Sequence, residues 1–126
     1  MVVFMLPYKY MLAIREYQSR DGHSPFSEWH KNLNAEAARK VTTALYRIGL
    51  GNVSNVKSVG SGVLECKINF GPGYRVYFGK DAESLVLLLA GGTKHRQEKD
   101  IRNSIERWQD HKSRKKLRNE KEEEEE

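Results

Sequence analysis

Val63-Leu64-Glu65-Cys66-Lys67-Ile68-Asn69-Phe70, continued by Gly71-Pro72-Gly73-Tyr74-Arg75-Val76-Tyr77-Phe78, decides how this chain folds. In the first run Leu64, Cys66, Ile68 and Phe70 alternate with Val63, Glu65, Lys67 and Asn69, the period of two of a half-buried strand. Gly71-Pro72-Gly73 is a turn. Tyr74, Val76 and Phe78 then alternate with Arg75 and Tyr77. The two runs therefore form an antiparallel hairpin. A three-residue loop sets Phe70 opposite Tyr74, Asn69 opposite Arg75, and Lys67 opposite Tyr77. One face of the hairpin is apolar core. The other displays Lys67, Asn69, Arg75 and Tyr77 as a compact patch.

Downstream, Leu85-Val86-Leu87-Leu88-Leu89-Ala90 is a continuous apolar run, read as a central strand buried on both faces. Gly91-Gly92 ends it and lets the backbone turn, delivering Lys94. A last helix begins around His95 to Glu98, with Ile101, Ile105 and Trp108 on one stripe. Upstream, residues 8–17 form a first strand and residues 18–23 a turn. Ser24-Pro25 is an N-cap followed by proline at the first helical position, opening a short helix that ends near Asn32. Asn34 caps a second helix with Ala37, Val41, Leu45 and Ile48 on one stripe, ended by Gly51-Asn52. Residues 52–62 read as a connecting loop. The chain is one α+β domain over residues 1–118, followed by an acidic tail, 119–126, expected to be disordered.

The chain has 126 residues and a net charge of +5. Residues 120–126 hold six Glu and one Lys; without them the body carries +10. A strongly basic body attracts polyanions, nucleic acid or the ribosome. The single cysteine, Cys66, excludes an internal disulfide framework and a multi-cysteine zinc site. No stretch is apolar enough to span a bilayer, and residues 1–14 lack a signal peptide's basic start. A cytoplasmic protein without membrane contact is expected.

Arg75 and Lys94 lie on an otherwise apolar sheet with no acidic partner in the local sequence. Cations so placed suit an anion, and an RNA phosphate fits. Cleavage of a phosphodiester by its own 2′-hydroxyl needs a base, an acid and cations around the crowded phosphorane, and needs no metal. Lys67, Arg75 and Lys94 supply cations. His95, between Lys94 and Arg96, is the histidine best placed for proton transfer. Tyr77 is an aromatic on which a base can stack. The competing reading is a solvated polar sheet face. Cys66 points into the core and is not a nucleophile, and no metal-ligand spacing is present.

The run Gly62-Val63-Leu64-Glu65-Cys66-Lys67-Ile68, then Phe70-Gly71-Pro72-Gly73-Tyr74-Arg75-Val76-Tyr77-Phe78, then Leu87-Leu88-Leu89-Ala90-Gly91-Gly92-Thr93-Lys94 with Gln97 and Asp100-Ile101, resembles the RelE/ParE toxin superfamily, and within it the phage-derived, HigB-like addiction module killer branch. The resemblance covers about residues 9–110. It implies a small antiparallel sheet with two N-terminal helices packed on one face, followed by a C-terminal helix. It implies the toxin of a type II toxin–antitoxin pair, a ribosome-associated endoribonuclease that cuts mRNA without a cofactor. Lys67, Arg75, Lys94 and His95 are the implied catalytic set, and Asn69, Tyr77, Arg96 and Gln97 the implied RNA contacts. The implied partners are the ribosome, mRNA and a cognate antitoxin of helix-turn-helix type, with operator DNA reached only through that antitoxin. Members of the ParE kind instead inhibit DNA gyrase and cut nothing. The chain departs from the RelE pattern at Asn69, where a second cation is usual, and near Asp100, where a tyrosine is usual.

Overall fold

The computed structural model describes residues 11–82 and 85–125. Strand β1 (Ala13–Glu16) leads into helices α1 (Pro25–Lys31) and α2 (Ala35–Gly49). Strands β2 (Val56–Gly60), β3 (Val63–Ile68), β4 (Tyr74–Asp81) and β5 (Leu85–Thr93) follow, then a 3-10 turn (Lys94–Arg96) and helix α3 (Gln97–Glu124). Residues 8–10 of the expected first strand lie outside the described residues.

The helix starts follow the sequence. Ser24 Oγ accepts the Ser27 N–H at 3.1 Å with Pro25 in the first turn, and Asn34 Oδ1 accepts the Ala37 N–H at 2.9 Å. Ala37, Val41 and Ile48 are buried on the inner face of α2. Together with Phe26 they pack on Cys66, Ile68, Tyr74, Val76, Phe78, Val86 and Leu88, one face of the sheet.

The sheet order is β1-β5-β4-β3-β2. Strands β2 to β5 are antiparallel neighbours, but β1 pairs with β5 in parallel, from Ala13 opposite Leu85 to Glu16 opposite Leu88. The sheet is thus mixed, not purely antiparallel. Helices α1 and α2 carry the chain from the β1 edge to the β2 edge, and β5 returns to the gap between β1 and β4. That is why the Leu85–Ala90 run is apolar throughout: it has a strand on either side and a helix over each face.

Several expectations change. Residues 52–62 include edge strand β2, whose Val56 and Val59 are half-buried. The hairpin loop is longer than three residues: Ile68 pairs with Tyr74, Lys67 with Arg75, and Glu65 with Tyr77. The Gly73 N–H donates to the Phe70 carbonyl at 3.0 Å, so Phe70 belongs to the turn, not the ladder. The register moves by two, so every side chain keeps its face. Gly91 and Gly92 do not end β5; they lie within it. A Cβ on Gly91 would collide with the Trp29 ring, and one on Gly92 with the Asp100 carboxylate. Their role is close approach rather than turning.

The largest difference is on the second face. Helix α3 covers it, with Trp108 seated against Gly79 and buried beside Val63, Tyr77, Leu87, Leu89 and Ala90. A bulge in β5 sets both Leu89 and Ala90 toward α3, and Arg107 Nη1 donates to the Leu89 carbonyl at 2.9 Å. His111 and Lys115 reach Asp81 at 2.8 and 2.6 Å. The helix continues to Glu124, so residues 119–124 of the segment expected to be disordered form its last turns. Among the described residues no helix is long and apolar enough to cross a membrane.

Candidate phosphate-binding site

The loop Asn69–Gly73 and the end of β5 enclose a shallow groove lined by Lys67, Asn69, Phe70, Arg75 and Lys94. Register creates it. Lys67 stands opposite Arg75 across β3 and β4, and Arg75 stands opposite Gly92, two residues before Lys94. The Gly73 carbonyl ties the corner together. It accepts the Lys94 N–H at 3.1 Å and Arg75 Nη1 at 3.2 Å. Lys67 and Lys94 are exposed and form no ion pair among the described residues.

Arg75 differs from the expectation. It does have an acidic partner, one that comes from the neighbouring strand. Glu65 Oε1 lies 3.6 Å from Arg75 Nε, and both residues are buried, at 1% and 5% exposure. Glu65 Oε2 accepts Gln97 Nε2 at 2.9 Å, and Lys57 approaches Oε1 at 3.7 Å from outside. Gln97 therefore holds Glu65 and is half-buried, not an open RNA contact. Glu65 is the residue that sequence reading missed. Its signal was the alternation that set it on the same face as Lys67 and Arg75.

Tyr77 is also corrected. It has no exposed surface, because α3 lies over it, so no base can stack on it. Burial and the nearby Glu65 carboxylate push its phenol far above the usual range, and its hydroxyl closes no well-formed hydrogen bond. Asp100 lies in the same buried layer, its Oδ2 without a partner among the described residues. Burial raises its pKa against the pull of Arg96, Arg107 and Lys99.

His95 and Arg96 do not line the groove. They lie in an adjoining basic depression with Lys99 and Arg102, at the start of α3, where no side chain caps the helix. Lys94 borders both hollows. The helix terminus adds partial positive charge there. On the other side, Lys67, Asn69 and Phe70 also border a cavity between α2 and the β2–β3 pair. Three hollows thus follow one another across the molecule, joined by lysines. Among the described residues no carboxylate or imidazole lines the groove. Among the described residues no group of three or more His, Cys, Asp or Glu side chains could hold a metal ion.

No protein-family model matches the sequence. A protein of Haemophilus influenzae described as "Uncharacterized protein" is 40% identical over 80 residues, which span 63% of this chain and 81% of that relative.

Proposed function

We propose that this chain, which belongs to one family with the Haemophilus influenzae protein, is the toxin of a type II toxin–antitoxin pair and an endoribonuclease acting on ribosome-bound mRNA. The observation that carries this reading is the meeting of Lys67, Arg75 and Lys94 on one groove, with further cations leading into it on both sides. The motif resemblance to RelE/ParE toxins of the HigB-like branch points the same way.

The chemistry follows from the groove. The 2′-oxygen attacks the adjacent phosphorus, its proton leaves to a base, and the departing 5′-oxygen takes up a proton. A 2′,3′-cyclic phosphate remains. Lys67 and Lys94, on opposite walls, neutralise the non-bridging oxygens as charge builds in the phosphorane. Arg75, fixed by Gly73 and Glu65, is held in place before substrate arrives, which removes an ordering cost at the reacting centre. Lys67 is the proton-transfer candidate within the groove, and His95 is positioned for the next phosphate along. No cofactor takes part. A cytoplasmic location, near ribosomes, follows from this role. The antitoxin, of helix-turn-helix type, would cover the basic groove and alone contact operator DNA.

One observation favours a second reading. Among the described residues no carboxylate or imidazole lines the groove, which suits a protein that binds without cutting, such as a ParE-like inhibitor of DNA gyrase. Induction in cells separates the two. A nuclease depletes full-length mRNA within minutes and leaves DNA intact. A gyrase inhibitor leaves mRNA intact, induces the DNA-damage response and causes filamentation, and that pattern would overturn the nuclease reading.

A further inference from the structure

The cavity between α2 and the β2–β3 pair has a volume of about 320 Å³, at the small end of the range for ligand sites. Its floor is apolar, made by Ala44, Ile48, Val56, Cys66 and Ile68. Its rim is not. Lys40 and Arg47 stand two helical turns apart on one side of α2, and Lys67 of β3 borders the cavity where it meets the groove. None of the three forms an ion pair among the described residues. Exposed amides of Asn52, Asn55 and Asn69 complete the rim. The Asn55 backbone carbonyl accepts the Lys67 backbone N–H at 3.1 Å, which fixes the main chain from which the Asn55 side-chain amide projects. Lys40 lies 5.4 Å from the Phe70 ring centroid, at the point where this cavity meets the groove.

An apolar floor, amides that offer both donor and acceptor, and flanking cations are what one nucleotide requires: an apolar surface for the base, groups to read the base edge, and charge for the phosphate. We propose that this cavity is a nucleotide subsite, receiving the base next to the phosphate bound by Lys67, Arg75 and Lys94. It would set the base preference of cleavage through Asn55 and its neighbouring amides. The inference rests on the nuclease reading and adds to it the place where sequence is read. A peptide anchor is the less fitting occupant, because among the described residues the cavity is bordered by three cations and no carboxylate.

The test is an NMR titration of the full chain with a short single-stranded RNA, 2′-O-methylated so that it cannot be cut. The Ala44 and Ile48 methyl signals report the cavity, and the Gly73 and Lys94 amides report the groove. Both sets are expected to shift with one saturation curve. Asn55→Ala is expected to weaken binding of the preferred base about tenfold, as loss of a base-edge contact does. Tripolyphosphate, an anion without a base, is expected to move only the groove signals. Groove signals that move while Ala44 and Ile48 stay fixed would overturn the subsite and leave the nuclease reading standing. Equal movement of Ala44 and Ile48 by tripolyphosphate would overturn base recognition. If neither set moves with RNA, both readings fall.

Discussion

Replacing Glu65 with glutamine is expected to weaken the fold and strengthen RNA binding at once. Glu65 and Arg75 are almost fully buried and 3.6 Å apart. At an effective dielectric of about 20, that separation corresponds to about 4–5 kcal/mol of attraction. Desolvation of the two charges offsets much of it, so the pair is not a large net source of stability. Removing one member is different, because the remaining guanidinium stays buried without its counter-charge. Glu65→Gln keeps the shape, and an oxygen for Gln97, and should lower the unfolding free energy by about 3 kcal/mol. It also removes the carboxylate paired with Arg75 beneath the groove, so a single-stranded RNA should bind more tightly at low salt. Urea denaturation reads the first effect and fluorescence anisotropy the second. Lys57→Ala is the control: Lys57 is 67% exposed and 3.7 Å from the same carboxylate, and its loss should cost under about 0.5 kcal/mol. A Glu65→Gln protein as stable as wild type would refute the reasoning, as would one that bound RNA more weakly.

Asp100→Asn should stabilise the protein at neutral pH. The carboxyl pKa is raised in the folded state, so the charged form is penalised there. The gain should be absent below the ordinary aspartate pKa, grow as pH rises toward the raised folded value, and stay constant above it, read by denaturation across pH. Asp81 has the opposite sign. Its hydrogen bonds to Lys115 and then His111 lower its pKa, so it contributes stability above the ordinary aspartate value that is lost as pH falls through the depressed one. Asp81→Asn should cost about 1–3 kcal/mol at pH 7 and flatten the acid limb of the stability curve. Gly79→Ala should cost about 1–3 kcal/mol by pushing the Trp108 ring off the sheet, with a matching change in tryptophan fluorescence.

The parts of this fold set by local chemistry were legible in the sequence. Ser24 and Asn34 cap helices where their spacing places them, and the alternation of Val63–Phe78 assigns every side chain to its observed face. The hairpin register was off by two because Phe70 was read as part of the ladder, yet a shift of two preserves faces. What could not be read was non-local. Period two separates two faces but does not say which is covered, so Tyr77 and Arg75 were expected in solvent when Trp108, far downstream in the chain, brings a helix over them. The same gap hid the Glu65 partner of Arg75, since the pairing runs between strands. Edge strand β2 was missed because only Val56 and Val59 stand out from its polar neighbours. Gly91 and Gly92 mark places where Trp29 and Asp100 touch the backbone, a signal that in sequence looks the same as a turn. For the site, the shared face of Lys67 and Arg75 was legible, while the approach of Lys94 to them depended on the strand order and the separation of His95 on how β5 enters α3.

In the proposed nuclease the exposed lysines around Arg75 take part in cutting mRNA. Lys67 and Lys94 are the variants to use, because both are exposed and neither forms an ion pair among the described residues. The measurement is mRNA integrity in a cell-free translation reaction, with wild type beside Lys67→Ala and Lys94→Ala and the cut ends mapped by primer extension. Cuts at fixed positions within codons, lost or reduced at least about a hundredfold in both variants as for loss of an oxyanion contact, are the predicted result. Intact mRNA at a concentration of wild-type protein that stops growth in cells would contradict it.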